Sequence, residues 1–432
     1  MKKILLVLVL FMTVFILQSC VSDGTSSSSK KPIIIWVGAE GVSFYQGVMD
    51  DYVASHEGMP KVEVKPSDAG TAANSFLLDT EEGVDIFTIP GDSLSELTSG
   101  STKIAPILNT SLINQTFALN TPSVIDMISL KIAGSDDLLI FGVPYVFQNL
   151  VLYYNKTILK DVTSWENIIR DVETYNSQNK QSTKAFTLAG IDSFSNSFLL
   201  LASKNNSFPI KIYQDGTLDD CDITNDEAVS IIKKGQDIFK YFDKNSAGAW
   251  TSYVTEKKVA AVIGGAWEFG AATESFGSNL GIAKLPTFTI NNDTYNSGTF
   301  NDVKMFVQRV GSPNAMYLQG IMEYLSSKEI QEQSYIYCNN LPSFKDARTE
   351  FDSIKVGTSD KQLLARAQYE MMDYGLPQPF GKDKRMHEYF YSRKADQLLI
   401  NVLTNVDNAY TNIENIKAVL TKVEARWKKG ND

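Results

Sequence analysis

An α/β protein in two lobes is what this sequence predicts, and three observations carry the expectation. Short apolar runs of strand length alternate with amphipathic helical stripes, a rhythm that favours parallel strands joined by right-handed crossovers. The chain has 432 residues, 43% of them hydrophobic, which is more than one core normally absorbs. No tandem repeat, heptad run or long linker interrupts the body. With 23 Phe, 19 Tyr and 5 Trp there is ample apolar surface to bury, so global disorder is excluded.

The first segment is an address. Met1-Lys2-Lys3 is a positive start, followed by the apolar run Ile4–Phe11 and, after Met12-Thr13, by Val14–Leu17. That run is short for a permanent span and fits the core of a signal peptide over residues 1–19. It ends in Leu17-Gln18-Ser19-Cys20, which resembles the lipobox of bacterial lipoproteins. The resemblance implies cleavage after the small Ser19 and lipidation of the Cys20 thiol, hence a membrane anchor. An ordinary signal peptide with an incidental cysteine is the alternative. Residues 20–31 follow as a polar, Ser-rich tether with nothing to pack. No second long apolar run exists, so an anchored body facing the periplasm or the cell exterior is expected.

The body then reads element by element. Pro32–Val37 is a fully apolar run, the mark of a buried strand. Phe44, Val48, Met49, Tyr52 and Val53 share one helical face. Lys61–Lys65 alternates as a second strand, and Val84–Ile89, closed by Pro90-Gly91, is a third. Ala228, Ile231, Ile232, Gly235, Ile238, Phe239 and Phe242 form a strong helical stripe. Val259–Gly265 is a strand ending in a turn. Ser312 is expected to cap a helix with Pro313 at its first position, lined by Ala315, Leu318, Met322 and Leu325. Ile413, Ile416, Leu420, Val423 and Trp427 give a last amphipathic helix. Residues 32–145 with 286–345 are assigned to the first lobe, and 146–285 with 346–432 to the second.

Composition removes several functions. There are 40 basic and 50 acidic residues, a formal net charge of −10, which argues against a nucleic-acid partner. The only histidines are His56 and His387, so His-rich metal sites and Ser-His-Asp catalysis lose their ligands and base. No G-x-S-x-G, H-E-x-x-H or phosphate-binding G-x-x-x-x-G-K-[ST] occurs, and no metal or cofactor is expected. A glycosidase working through two distant carboxylates leaves no local spacing to read. Cys221 and Cys338 read as two isolated thiols, with a disulfide as the alternative.

Several segments, taken in order, resemble one family. These are Trp36-Val37-Gly38, Asp85-Ile86-Phe87, Gly142–Tyr145 with Val151–Lys156, Thr163–Ile168, Gly264–Glu268, Gly281–Pro286 and Ser312–Leu325. Together they are similar to bacterial extracellular solute-binding proteins of the maltodextrin-binding type. The resemblance implies two hinged lobes closing on a sugar or oligosaccharide, with ABC permease subunits as partners and no catalysis. A monomer is expected. A ligand-sensing or adhesive lipoprotein of the same fold is the runner-up.

Sugars present C–H faces and hydroxyl edges, so their sites combine aromatic platforms with carboxylates and amides. Trp267 opens a helix after a Gly-Gly strand end, and the resemblance implies a stacking role. Glu40 and Asp92 follow strand ends in the first lobe; a solvated loop acid and a helix cap are their blander readings. Gln148, in the crossing Pro144–Asn149, stands where the family carries a carboxylate. Phe194, and Tyr389 with Phe390, fall where the family places further aromatic platforms, with helix core as the alternative for the last two. Phe300 and Asn301 lie where the chain re-enters the first lobe. Ile89 replaces a family tryptophan, which argues against a long stacked chain of glucose units.

Overall fold

The computed structural model describes residues 31–78, 83–98, 102–131, 138–190, 197–205, 207–212, 221–355, 357–379, 381 and 394–429. The leader, Cys20 and most of the tether lie outside these residues.

Strand β1 (Ile33–Val37) is apolar because it is covered on both faces, and it pairs in parallel with β2 (Val62–Pro66) and β3 (Ile86–Pro90). Helix Val42–Ala54 crosses between β1 and β2, with Tyr45, Val48 and Met49 buried; Phe44 sits at the edge of that face. Strand β4 (Gly142–Gln148) is followed after one residue by β5 (Leu150–Asn155). β6 (Lys184–Leu188), β7 (Val259–Gly265) and β8 (Leu280–Ala283) complete the second sheet, in the order β8-β5-β7-β6. There β7 runs parallel to β6 and antiparallel to β5. The long β9 (Thr299–Arg309) and short β10 (Gly375–Pro377) return to the first sheet, ordered β10-β9-β3-β1-β2. β4 is also paired to β9, antiparallel.

Each sheet owns a core. Ile33, Ile35, Phe87, Ile89, Phe147, Phe306 and Leu318 lie in the first. Trp165, Phe186, Phe198, Ile232, Phe239 and Trp427 lie in the second. The closing helix Ile413–Lys429 buries Ile416, Leu420, Val423 and Trp427 there, while Ile413 is exposed. The molecule is therefore two α/β lobes joined by strands.

Among the described residues, three crossings join them. Gln148-Asn149-Leu150 leaves the first lobe, Thr299–Asp302 returns, and Gly375–Pro377 pairs with Thr299–Asn301 as the third. Asn149 ties the region together, its amide donating to the Gln368 carbonyl (2.8 Å) and to Asn301 Oδ1 (3.4 Å).

Three details differ from expectation. The return crossing is not at Pro286, because the hairpin Thr287–Asn296 packs Phe288 and Tyr295 into the second core and Thr287 bonds Thr163. Ala347, Phe351 and Ile354 belong to the first core, not the second. The helix expected from Pro313 spans Ala315–Leu325 with Asn314 at its cap. Ser312 stands two residues before that cap: its hydroxyl oxygen accepts from the Asn314 N–H (2.9 Å), as a capping residue does, and the hydroxyl donates to the buried Asp85 carboxylate at 2.5 Å. Cys221 and Cys338 are separate free thiols, both buried.

Candidate functional site

Strand ends from both sheets meet around one cavity of about 670 Å³ between the lobes. The first lobe contributes Gly38–Glu40 after β1, Pro66 at the end of β2 with Ser67–Gly70 beyond it, Pro90 at the end of β3 with Asp92 beyond it, and Tyr145 and Gln148 from β4. The second contributes Ala189-Gly190 after β6 and Gly264, Gly265, Trp267 and Glu268 at the end of β7. Asp302 and Lys304 enter from β9. Convergence of strand carboxyl ends on a crevice is the expected ligand position in an open α/β sheet.

Among the described residues, the Trp267 indole is the exposed aromatic of the cavity, 51% accessible although most large rings are buried. Its position depends on Gly265. A Cβ at that glycine would stand 2.2 Å from the indole ring, so only glycine lets the ring lie back against the strand end. The same strand end is held by Tyr153, whose buried hydroxyl donates to the Gly265 carbonyl at 2.9 Å. The Trp250 and Trp267 indoles neighbour the Glu268 carboxylate. Burial pushes that carboxyl above the usual range, and the two indoles partly oppose the shift.

Across the cavity, Glu40 is exposed on a single helical turn, Ala39–Gly41, that follows β1. Asp68 accepts from the Thr71 backbone N–H (3.1 Å) at the start of helix Ala69–Leu78. Asp92 is half-buried within the turn Gly91–Ser93 and accepts from the Ser93 hydroxyl (3.1 Å). It is inside that turn rather than its cap, which is Pro90. Tyr145 is buried against Phe306, with ring centroids 4.3 Å apart. Burial raises its hydroxyl pKa, so the phenol stays a neutral donor.

Asp302 is 3% exposed at the throat of the cavity. Its carboxylate accepts from the Gly91 N–H (3.1 Å), the Gln148 amide (2.8 Å) and the Gln378 amide (3.4 Å). Burial, and then the neighbouring Asp92 charge, push its pKa up to about 7, against the donors.

Of the residues singled out in the sequence, Trp267, Glu40, Asp92 and Gln148 line this one cavity. Gln148 is only 7% exposed and its amide is turned to Asp302. Phe300 is a correction: it is 1% exposed inside the second core, since the inward face of β9 there packs with Phe198 and its neighbours. Asn301 is another, buried at the crossing, where its amide donates to the Met372 carbonyl (3.3 Å). Phe194, Tyr389 and Phe390 lie outside the described residues. Tyr145, Asp302, Lys304, Asp68 and Glu268 were not anticipated. The available signal was the polar Asn-Asp-x-Lys interruption of an otherwise apolar strand, Thr299–Val307.

A sequence profile of the bacterial extracellular solute-binding proteins matches residues 47–363, well over half of the chain. The chain belongs to that family. Among curated solute-binding relatives, a maltooligosaccharide ABC transporter solute-binding lipoprotein of Streptococcus pneumoniae (strain ATCC BAA-255 / R6) is 26% identical over 355 residues. That match covers 79% of this chain and 78% of the relative. A galactooligosaccharide-binding protein of Bacillus subtilis (strain 168) is 23% identical over 374 residues, covering 83% and 82%. A maltose-binding periplasmic protein of Listeria monocytogenes, solved with maltose, superposes with a TM-score of 0.72 at 21% identity. It covers 93% of this chain and 99% of that one. A maltodextrin-binding protein of L. casei BL23, solved without ligand, gives 0.72 at 17%, covering 92% and 99%. These structures share the solute-binding fold: two α/β lobes and a cleft.

Proposed function

We propose that this solute-binding protein is the lipid-anchored capture subunit of an ABC importer, taking a sugar or oligosaccharide into the interlobe cleft. The observation that carries the reading is the half-exposed Trp267 ring on the second lobe, set across one cavity from the Glu40 and Asp92 carboxylates of the first. An indole face suits the C–H face of a pyranose, and the carboxylates and the Gln148 amide suit its hydroxyls. Closing of the lobes about the three crossings brings both halves onto the same ligand. The names of the relatives add support: one is a maltooligosaccharide and one a galactooligosaccharide binder.

Anchoring through Cys20 rests on Leu17-Gln18-Ser19-Cys20 at the end of the apolar leader and on the lipoprotein relatives. On this reading the body hangs outside the membrane as a monomer and delivers its ligand to permease subunits without chemical turnover. A thermal-shift series with malto- and galacto-oligosaccharides tests it. A ligand at a hundredfold its Kd adds about 2.7 kcal/mol to stability and raises Tm accordingly. No shift with any saccharide removes the sugar reading. Release of reducing ends from a bound saccharide by purified protein removes the claim of binding without turnover.

A further inference from the structure

The Asp302 carboxylate does not sit in one element's environment; it ties four. Its own backbone is in the returning crossing, where it pairs with Gln148 across the sheet. Its Oδ2 holds the Gln148 amide of the outgoing crossing (2.8 Å). Its Oδ1 holds the Gly91 N–H (3.1 Å) in the turn that carries Asp92. The same oxygen receives the amide of Gln378 (3.4 Å), which follows the third crossing and whose own N–H donates to the Asn301 carbonyl (3.0 Å). The approach of the turn requires Gly91, because a Cβ there would lie 2.4 Å from Asp302 Oδ1. Gln148 and Gln378 are 7% and 2% exposed, so these bonds are shielded from water.

We propose that Asp302 is a positioning residue for ligand capture, coupling the Asp92 turn to the outgoing and third crossings so that engagement of Asp92 and closing of the lobes move together. This rests on the reading that the cleft closes on a ligand. Hinge motion changes the backbone angles of a few crossing residues, and here those residues bond a carboxylate that also holds the ligand turn. Each hydrogen-bond partner of the carboxylate is a donor: the Gly91 N–H and the two glutamine amides. The set therefore needs the carboxylate ionised, whereas burial and Asp92 favour the proton, so the tie loosens on acidification through about pH 7. The charged groups around the cavity are Glu40, Asp68, Asp92, Glu268 and Lys304, and of these Asp92 is the one whose charge acts on Asp302.

Asp302→Asn and Gln378→Met, each in the full chain, test the proposal with maltotriose and β-1,4-galactotriose as probes. Calorimetry should show Asp302→Asn weakening whichever probe the wild type binds at least tenfold at pH 8. Wild-type affinity should fall between pH 8 and pH 6, and that of Asp302→Asn should stay flat. The unliganded Tm should move the opposite way. A carboxyl whose pKa is raised on folding contributes stability below about pH 4 that is lost as pH rises through about 7. The Tm gap between variant and wild type should therefore shift in the variant's favour from pH 5 to pH 8. An affinity within twofold of wild type, or a lowered Tm with a pH-independent gap, overturns the proposal. If Asp302→Asn does not fold, Gln378→Met decides: weaker binding at unchanged Tm supports the coupling, and unchanged binding overturns it. If the wild type binds neither probe, the best saccharide of the thermal-shift series replaces them, and the sugar reading fails separately only if none of that series binds. Small-angle scattering of the unliganded proteins then decides, and a radius of gyration unchanged in both variants at pH 5 and 8 overturns it.

Discussion

Replacing Trp267 by alanine separates a ligand platform from a core ring. A tryptophan side chain covers on the order of 200 Å² when fully buried. With 51% of the residue accessible, about 100 Å² of that face is open to a ligand. At roughly 25 cal/mol per Å² the open half is worth ~2.5 kcal/mol if a pyranose covers it completely. Partial cover brings the expected loss to ~1–2.5 kcal/mol, roughly a five- to seventyfold weakening. The fold should lose little, because half the ring is already solvated and Glu268 keeps the Trp250 indole as a neighbour. Titration calorimetry with the best saccharide of the thermal-shift series, alongside the unliganded Tm, reads both quantities. Unchanged affinity would take Trp267 out of the site. A fall of more than about 3 kcal/mol in unliganded stability would mean that the ring serves the lobe rather than the ligand.

Two further outcomes follow from the buried acid just before β3 and from the leader. Asp85 is 5% exposed and accepts from the Ile34 N–H (3.0 Å), the Ser312 hydroxyl (2.5 Å) and the Asn314 amide (3.2 Å). Asp85→Ala strands those donors and should cost about 3–5 kcal/mol by urea unfolding, since a buried donor left without a partner costs roughly 1–3 kcal/mol; a loss under 1 kcal/mol would show that water replaces the carboxylate freely. Cys20→Ala should leave an unlipidated form, released from the membrane or retained as precursor, and fractionation like wild type would refute the anchor.

What could be read in the sequence was what depends on neighbours along the chain. β1 and β3 are legible because strands covered on both faces must be apolar throughout. Trp267 and Asp92 are legible as site candidates because each follows a strand end closed by glycine, where backbone and ligand can approach. What failed depends on contacts hundreds of residues apart. Phe300 and Asp302 are two positions apart on one strand, yet one is core and the other lines the cavity. Strand alternation does not tell them apart, since residues i and i+2 share a face. The difference arises because β9 passes from one lobe to the other between them: Phe300 still packs on the second core, and Val303 already packs on the first. The same transition explains the misplaced boundary. Thr287–Asn296 forms a local hairpin whose lobe is fixed by bonds to Thr163 and Glu166, more than a hundred residues earlier. A polar triplet inside an apolar strand is thus the local trace of a crossing. The side chains it carries answer to both lobes, and for that reason Asp302 holds partners from three other segments at once.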